Sequence, residues 1–389
     1  MSSDFELKVN VLPVTTYNFL HVNESTIKIS DLSLGKRKST DEAELPSGVS
    51  KKSGVSFGEA GKVFGSFSGR INVLADGYAA PNGDTSERDK EQAVRTGMGA
   101  DVDRLMRDMN VTSDVYTVDE GVKADKPIAI SDKYEDGEMA LLSYVIHAKK
   151  DSEITVILME SSERSAAGLS GISVRLMAED GAKITLVKTQ MLGDGFVHFY
   201  DIGGACLEGA GISLVTLELG GCDVHSSAYI NLSEDNSAYS SNLAYLARDD
   251  HRLDFNYVAD QRGKKTEALM DFKGVLMDRA QKTFRGTLDF KSGSSGSVGD
   301  EQEDALLLSP DVVNRTMPVI LCQEEDVEGR HGATIGQLTE ELLFYMMSRG
   351  IDEERARRIM VSARLESVAR LIPDPDIMQK TIYYIQNIL

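Results

Sequence analysis

Only three cysteines, Cys206, Cys222 and Cys322, occur in 389 residues. They are too few and too scattered for a disulfide framework or a CxxC zinc pattern, so a reducing cytoplasm is the expected setting. Tryptophan is absent and aromatic residues make up 6% of the chain, which weighs against the aromatic platforms of a carbohydrate-binding groove. No apolar run approaches the ~20 residues that span a bilayer, and the opening MSSDFELKVN lacks the basic and apolar regions of a secretory signal. Cations are in deficit: 42 Lys and Arg face 62 Asp and Glu, a net charge of −20. A surface that acidic repels phosphate backbones and anionic lipid, so neither nucleic acid nor membrane is expected as a partner. The usual catalytic signatures are missing too. There is no GxSxG elbow or HExxH helix, and the Gly-Lys pair within Gly58–Gly65 is followed by neither Ser nor Thr, as a phosphate-binding loop requires.

What is present is a hydrophobic fraction of 41%, enough for a sizeable core and two or three structural units. From about Ser113 short β-favouring runs recur, among them LLSYVIHA, EITVILME, KITLVKTQML and DVHSSAYINL. Small-residue turns punctuate them: Asp180-Gly181-Ala182, Gly203-Gly204-Ala205, Gly220-Gly221-Cys222 and Asp235-Asn236-Ser237. Many short strands with returning small residues predict a mainly β fold, a solenoid over residues 113–335, in preference to a sandwich or meander. Cys206 and Cys222 lie about one coil apart and are candidates to stack, against the plainer role of small buried hydrophobes. Before the solenoid, residues 1–112 read as an irregular region. Residues 35–56 are expected to be a mobile loop, 57–75 a hairpin, 76–91 a Pro/Gly/charge-rich stretch and 101–109 a short helix. The segment SGSSGSVGDEQED reads as a flexible excursion.

Residues 336–389 read as a helical unit. Thr339 is placed to cap a helix with Glu340 and Glu341 in its first turn; Leu338, Leu342, Leu343, Met346 and Met347 supply an apolar stripe, and Arg349-Gly350 a stop. Asp352 caps a second helix, and Asp374-Pro375 starts a third. About 50 residues are too few for independent stability, so this unit is expected to pack on the β part, on a partner, or on both. Ahead of it His331 sits in a polar stretch read as a turn.

The ordered set His331-Gly332-Ala333-Thr334, Gly336, Leu343-Phe344-Tyr345 and Ser348-Arg349-Gly350-Ile351 resembles the SufB/SufD family of iron–sulfur cluster assembly proteins. Phe284-Arg285-Gly286, Leu306-Leu307-Leu308-Ser309, Pro318 and Glu325-Asp326-Val327 fall in the same order upstream. The resemblance implies a right-handed parallel β-helix and a SufD-like scaffold subunit of a SUF-type assembly complex, itself not an enzyme. It also implies a SufC-like ATPase partner, docked by Leu343, Phe344, Tyr345, Arg349, Gly350 and Ile351, and a SufB-like second scaffold or a second copy of this chain. His331 is then the expected ligand in a transient iron–sulfur site shared at the subunit interface, with no cofactor held tightly by the isolated chain. Two thiol positions of the family are empty. Glu303 stands where SufB-like members carry cysteine and is kept as a weaker, carboxylate candidate; Gly329 stands where many SufD-like members carry cysteine. The alternatives are a β-helix enzyme acting on carbohydrate and a structural adaptor without cluster chemistry.

Overall fold

In a computed structural model of the chain, residues 4–14, 20–34, 41–42, 44–67, 70–71, 94–337 and 340–388 are described. The first elements are β1 (Phe5–Val9), β2 (Ser25–Ile29), β3 (Asp41–Glu42), β4 (Val49–Ser56), α1 (Phe57–Gly61) and α2 (Ala100–Asp108). Sixteen strands follow: β5 (Thr112–Val118), β6 (Ile128–Tyr134), β7 (Glu138–Ala148), β8 (Glu153–Ser162), β9 (Ala167–Ala178), β10 (Lys183–Met191), β11 (Gly195–Cys206), β12 (Gly211–Glu218), β13 (Asp223–Leu232), β14 (Ala238–Ala247), β15 (Arg252–Gln261), β16 (Glu267–Leu276), β17 (Gln281–Phe290), β18 (Ser297–Leu307), β19 (Val313–Cys322) and β20 (Val327–Gln337). Three helices end the chain: α3 (Glu340–Ser348), α4 (Glu353–Ala369) and α5 (Pro375–Ile388).

Odd-numbered strands from β5 to β19 form one parallel sheet and even-numbered strands from β6 to β20 the other, so each odd–even pair is one coil of a β-solenoid. Register is strict, and like stacks on like: Ile184 lies between Ile154 and Ile212, and Leu186 between Val156 and Leu214. These inward files, buried throughout, form the core between the sheets. One corner is a column of residues with φ between 50° and 80°: Gly121, Asp151, Gly181, Gly209, Asn236, Lys265 and Gly296. Each donates its N–H to a carbonyl of the next coil, as Asp151 does to Asp180 and Gly181 to Glu208, both at 2.8 Å. The coil period is therefore close to 30 residues. The expected turn triplet Gly203-Gly204-Ala205 is no corner but lies within β11, towards its C-terminal end. A Cβ on Gly203 would come within 2.5 Å of the Arg95 carbonyl, so its smallness serves the close approach of the segment before α2.

Both outer faces are covered. On the odd-strand sheet lie the N-terminal elements, tied down by Arg285, whose Nε donates to the Val22 carbonyl at 2.7 Å while Nη1 donates to Asp254 Oδ1 at 2.6 Å. On the even-strand sheet lie α4 and α5, burying Val361, Leu365, Val368, Ile382 and Ile385 against Val187, Leu217, Ala244, Leu246 and Val275. The expected packing of the helical unit on the β part is thus met by these two helices. No helix among the described residues is long and apolar enough to cross a membrane.

Several local expectations are corrected. Residues 49–56, read as loop, form β4, which pairs antiparallel with β5 because the first coil leaves an edge of free backbone donors and acceptors. Residues 57–67 are helical rather than a hairpin. The supposed flexible excursion contains most of β18, held by its ladders to β16 and β20 in spite of its charge. Helix α2 matches its expected place. The Thr339 cap, Leu338 and residues 76–91 lie outside the described residues. Cys206 and Cys222 do not stack. Cys206 is buried in register with Ala178 and Leu232, its thiol pushed up by burial; the Cys222 amide meets the Phe196 carbonyl instead.

Midway along, the core turns polar. Lys188 Nζ donates to Glu218 Oε1 at 2.7 Å and also meets His198 Nε2, all three side chains being shut off from solvent. Glu160 Oε1 accepts from Tyr134 Oη at 3.0 Å and from Ser170 Oγ, and its Oε2 lies 3.8 Å from His198 Nδ1. Burial pushes the Glu160 carboxyl up to about 7, with Lys188 opposing; burial and Lys188 together hold His198 well below its ordinary range, in the neutral form.

Two expectations follow. Because the folded pKa of Glu160 exceeds its unfolded value, the folded chain binds the extra proton, and stability falls as pH rises from about 4.5 to about 7. Glu160→Gln, uncharged throughout, is expected to match wild type near pH 4.5 and exceed it by on the order of 1–3 kcal/mol above pH 7. Urea midpoints at the two pH values check this; an equal gap at both would refute it. Leu365→Ala, beneath α4, is expected to cost about 2–5 kcal/mol, whereas Tyr383→Ala on α5, 70% exposed, should stay within about 0.5 kcal/mol.

Candidate functional site at the open end of the solenoid

The two ends of the solenoid differ. At the first coil β4 and β3 pair antiparallel with β5 and β6 and close both sheet edges. At the last coil β19 pairs with β17 and β20 with β18, and no described strand pairs with their other edges. The expected turn around His331 is not there: His331 lies inside β20, because pairing with β18 runs unbroken from Ser297↔Val327 to Leu307↔Gln337.

Parity along these strands decides which side chains face inward. On β18 the buried positions are Ser297, Gly299, Glu301, Glu303 and Ala305. Their partners on β20 are Val327, Gly329, His331, Ala333 and Ile335. A Cβ on Gly329 would point at Phe290 and Ile320 of the opposite sheet, confirming that this file faces the interior. The interior here has no further coil above it, so His331 is exposed and Ile335 is 53% exposed. His331 accordingly lies at the mouth of the solenoid.

Glu303 does not accompany His331. It lies under Ala333, and both its oxygens are occupied: Oε1 accepts from Tyr245 Oη at 2.8 Å and from Lys282 Nζ, and Oε2 accepts from Thr316 Oγ1 at 2.6 Å. Lys282, wholly buried, is held below its usual range by desolvation, with Glu303 pulling it back up. Directly under His331 lies Glu301, which the sequence reading passed over as part of an acidic loop; the alternation Ser297, Gly299, Glu301, Glu303, Ala305 was the signal that could have found it. Its carboxylate fills the space that Gly286, having no side chain, leaves on the facing strand. Glu301 Oε2 has no hydrogen-bond partner among the described residues. Burial, then the charge of Glu303, pushes this carboxyl up to about 8. Asn314, stacked on Lys282 in the terminal coil, likewise has both amide atoms buried and unanswered among the described residues.

Cys322 is exposed at the far end of the same mouth, where a recess of about 640 Å³ is bounded by Phe290, Ile320, Val327 and Gly329. It ends β19 in register with Phe290, whereas His331 lies on β20. Among the described residues no three His, Cys, Asp or Glu side chains converge in a way that would hold a metal ion. A larger acidic recess, about 910 Å³ and lined by Asp132, Glu135, Asp136, Glu138 and Glu163, lies towards the capped end.

Beyond β20 the chain enters α3, whose apolar residues are not spent on the solenoid. Phe344 is 75% and Tyr345 57% exposed, and Met347 is exposed beside them, while Leu343 and Ile351 are half-buried. The Arg349 guanidinium lies 5.4 Å from the centre of the Tyr345 ring. Gly350, at φ +82°, ends the helix with its N–H on the Met347 carbonyl at 3.0 Å, the left-handed stop expected of it.

Comparison with known proteins agrees with this architecture. Residues 130–364 match the family described as SUF system FeS cluster assembly, SufBD core domain. The chain is 23% identical over 273 residues to the iron–sulfur cluster assembly protein SufD of Bacillus subtilis, covering 69% of this chain and 62% of that one. It is 25% identical over 209 residues to a chloroplastic iron–sulfur cluster assembly SufBD family protein of Arabidopsis thaliana, covering 52% of this chain and 38% of that one. It is 23% identical over 342 residues to an iron–sulfur cluster assembly SufBD family protein of Mycobacterium leprae, with 82% of this chain and 86% of that one aligned. The chain thus spans less than two thirds of the first two relatives. The family match covers more than half of the chain and takes in the solenoid from β6 to β20: the chain belongs to the SufBD family of iron–sulfur cluster assembly proteins.

Proposed function

We propose that this chain is a non-catalytic scaffold subunit of a SUF-type assembly complex, stacking through its open end on a SufB-like subunit or a second copy of itself and docking a SufC-like ATPase through α3. The observation that carries this reading is the uncapped last coil. One end of the solenoid is closed by antiparallel strands, while at the other no described strand pairs with the two last edges, Ile335 is exposed, and the buried Asn314 amide has no partner among the described residues. Free edges of this length invite pairing, and a second solenoid end offers the matching register. Membership of the SufBD family supports the process. His331, at the centre of that mouth, would offer an imidazole, a suitable ligand for iron, to a cluster assembled between the subunits. The cluster would be cargo of the complex; among the described residues no three His, Cys, Asp or Glu side chains converge to hold a metal ion.

The ATPase side rests on α3. The apolar residues of α4 and α5 are largely used against the even-strand sheet, so a partner needing an apolar surface finds it at Phe344, Tyr345 and Met347. This refines the docking site expected from the sequence: the exposed members of that set, Phe344, Tyr345 and Arg349, would make the contact, and Gly350 would shape the end of the helix.

Two measurements test this. His331→Ala in the co-expressed complex is expected to leave the complex and its melting temperature intact while lowering iron and acid-labile sulfide per complex severalfold; equal iron and sulfide in the two would exclude the ligand role. Phe344→Asp combined with Tyr345→Asp is expected to abolish capture of the ATPase without changing stability by more than about 0.5 kcal/mol, since both side chains are exposed. Full-strength capture by the double variant would move the docking site elsewhere.

A further inference from the structure

Away from the mouth, two aspartates meet on the outer face of the odd-strand sheet, the face to which Arg285 ties the N-terminal elements. The inward residues of β15 and β17 here are Tyr257, Ala259, Leu288 and Phe290. Side chains alternate along a strand, so Asp260, Thr287 and Asp289 point the other way. Asp260 and Asp289 are in-register partners, and Thr287 stands one same-face position before Asp289. Asp260 and Thr287 are wholly buried and Asp289 is 4% exposed. Each carboxylate is answered on one oxygen only. Asp260 Oδ2 accepts from Tyr229 Oη at 2.6 Å and from Arg262 Nε at 3.0 Å; Asp289 Oδ2 accepts from Lys291 Nζ at 2.7 Å. Among the described residues both Oδ1 atoms and Thr287 Oγ1 have no partner. The hydroxyl finds none along its own rung, where its neighbours are Val258 and Val319; the next rung carries Asp260 and Asp289. Parallel neighbours stand about 4.8 Å apart, and like charges directly opposite repel. A buried oxygen left bare also costs its desolvation with nothing in return.

We propose that Asp260 Oδ1, Asp289 Oδ1 and Thr287 Oγ1 form a site for a hard divalent cation, of the calcium or manganese class, on the outer face of the solenoid between β15 and β17. A cation between the two rungs relieves the repulsion and answers all three oxygens at once. The donor set is oxygen throughout, which favours such ions over the softer ones that imidazole and thiolate take, and water completes their coordination. Arg262 and Lys291, both partly exposed, hold the Oδ2 atoms and leave the Oδ1 atoms to the ion. Two carboxylates and a hydroxyl also agree with the lack of any cluster of three His, Cys, Asp or Glu among the described residues. The site owes nothing to His331, which stands in an inward file of the other sheet. Its ion would clamp one coil to the next, β15 to β17, and so tighten their register.

The test titrates the full-length chain with Mn²⁺ near neutral pH and counts the free ion by electron paramagnetic resonance. It is run in the His331→Ala background, so that an ion held at the mouth is not counted. That parent is expected to bind one equivalent saturably, and Ca²⁺ to displace it. Asp289→Asn is expected to bind about tenfold or more weakly, a loss that removing even a ligand's supporting partner can bring. Thr287→Val is expected to bind severalfold more weakly. Ca²⁺ should raise the melting temperature of the parent and leave that of Asp289→Asn unmoved. Without the ion Thr287→Val, which removes an unanswered buried hydroxyl, is expected to melt no lower than its parent, so that weaker binding by this variant reports the site and not a damaged fold. No saturable Mn²⁺ binding by the parent would overturn the site, as would binding that survives Asp289→Asn unchanged. Equal affinity in Thr287→Val and the parent would overturn the part given to the hydroxyl.

Discussion

Everything in this molecule depends on one coil being answered by the next. A parallel strand satisfies its backbone only if a neighbour lies on each side in register, and a β-solenoid meets that demand by repeating itself every 27–31 residues, the spacing of its left-handed corner column. The corner residues donate to the next coil, the inward files stack like on like, and the two outer faces are flat enough for helices and N-terminal strands to cover. The same demand makes the ends the places where the fold has something left over. One end is closed by β3 and β4 from the chain's own N-terminal region. The other is not, and it is there that the exposed histidine, the orphaned carboxylate and the orphaned amide are found.

Charge inside the solenoid looks at first like a conflict with that economy. Lys188 and His198 stand in files whose next rungs include Leu158 and Val224, and Glu160 and Glu218 flank Gln190 in a polar file beside them. Desolvating such groups is costly, and a buried ion pair is weak evidence for stability. Its effect on register is clearer. Because side chains alternate with a period of two, a one-residue slip of β10 against β12 would turn Lys188 outward and strand Glu218 without its cation. The polar rungs therefore penalise misregister between coils whose apolar rungs, being much alike, would tolerate it. The rungs of Lys282, Glu303 and Tyr245 do the same nearer the open end.

How much of this was readable in the sequence follows from what each element depends on. The solenoid was legible because its strands carry their own β-branched runs, α2 because its apolar spacing is a local signal, and α4 and α5 because their Asp352 and Asp374 caps are too. The strand β18 was not, since SVGDEQEDALL reads as a charged loop to anything that weighs composition; its strand character comes from ladders to β16 and β20, which no local window contains. The same cause hid β4 and put His331 in a turn. Gly203 was misread for the opposite reason: its smallness serves contact with the Arg95 segment, some hundred residues away in sequence, and not a corner. The family resemblance named His331 and Glu303 together by motif position, but strand parity separates them, because Glu303 pairs with Ala333 and Glu301 with His331.

The two features left without partners in the described structure lie on one stretch of chain. Strand β20, with His331 on its inward face, runs to Gln337, and α3, with Phe344 and Tyr345 exposed, begins at Glu340. Among the described residues β20 is bonded along one edge only, to β18, and Phe344, Tyr345 and Met347 of α3 are exposed, so neither element is over-determined by the rest of the described fold. Segments with few buried apolar contacts and one-sided backbone pairing open at low free energy compared with a core strand. In the proposed assembly a load on α3 would therefore reach β20 before it disturbed the coils beneath, and a change at the open end would be felt at α3. A solenoid whose core is held by seven further coils can let its eighth give way, and that is the coil which carries His331.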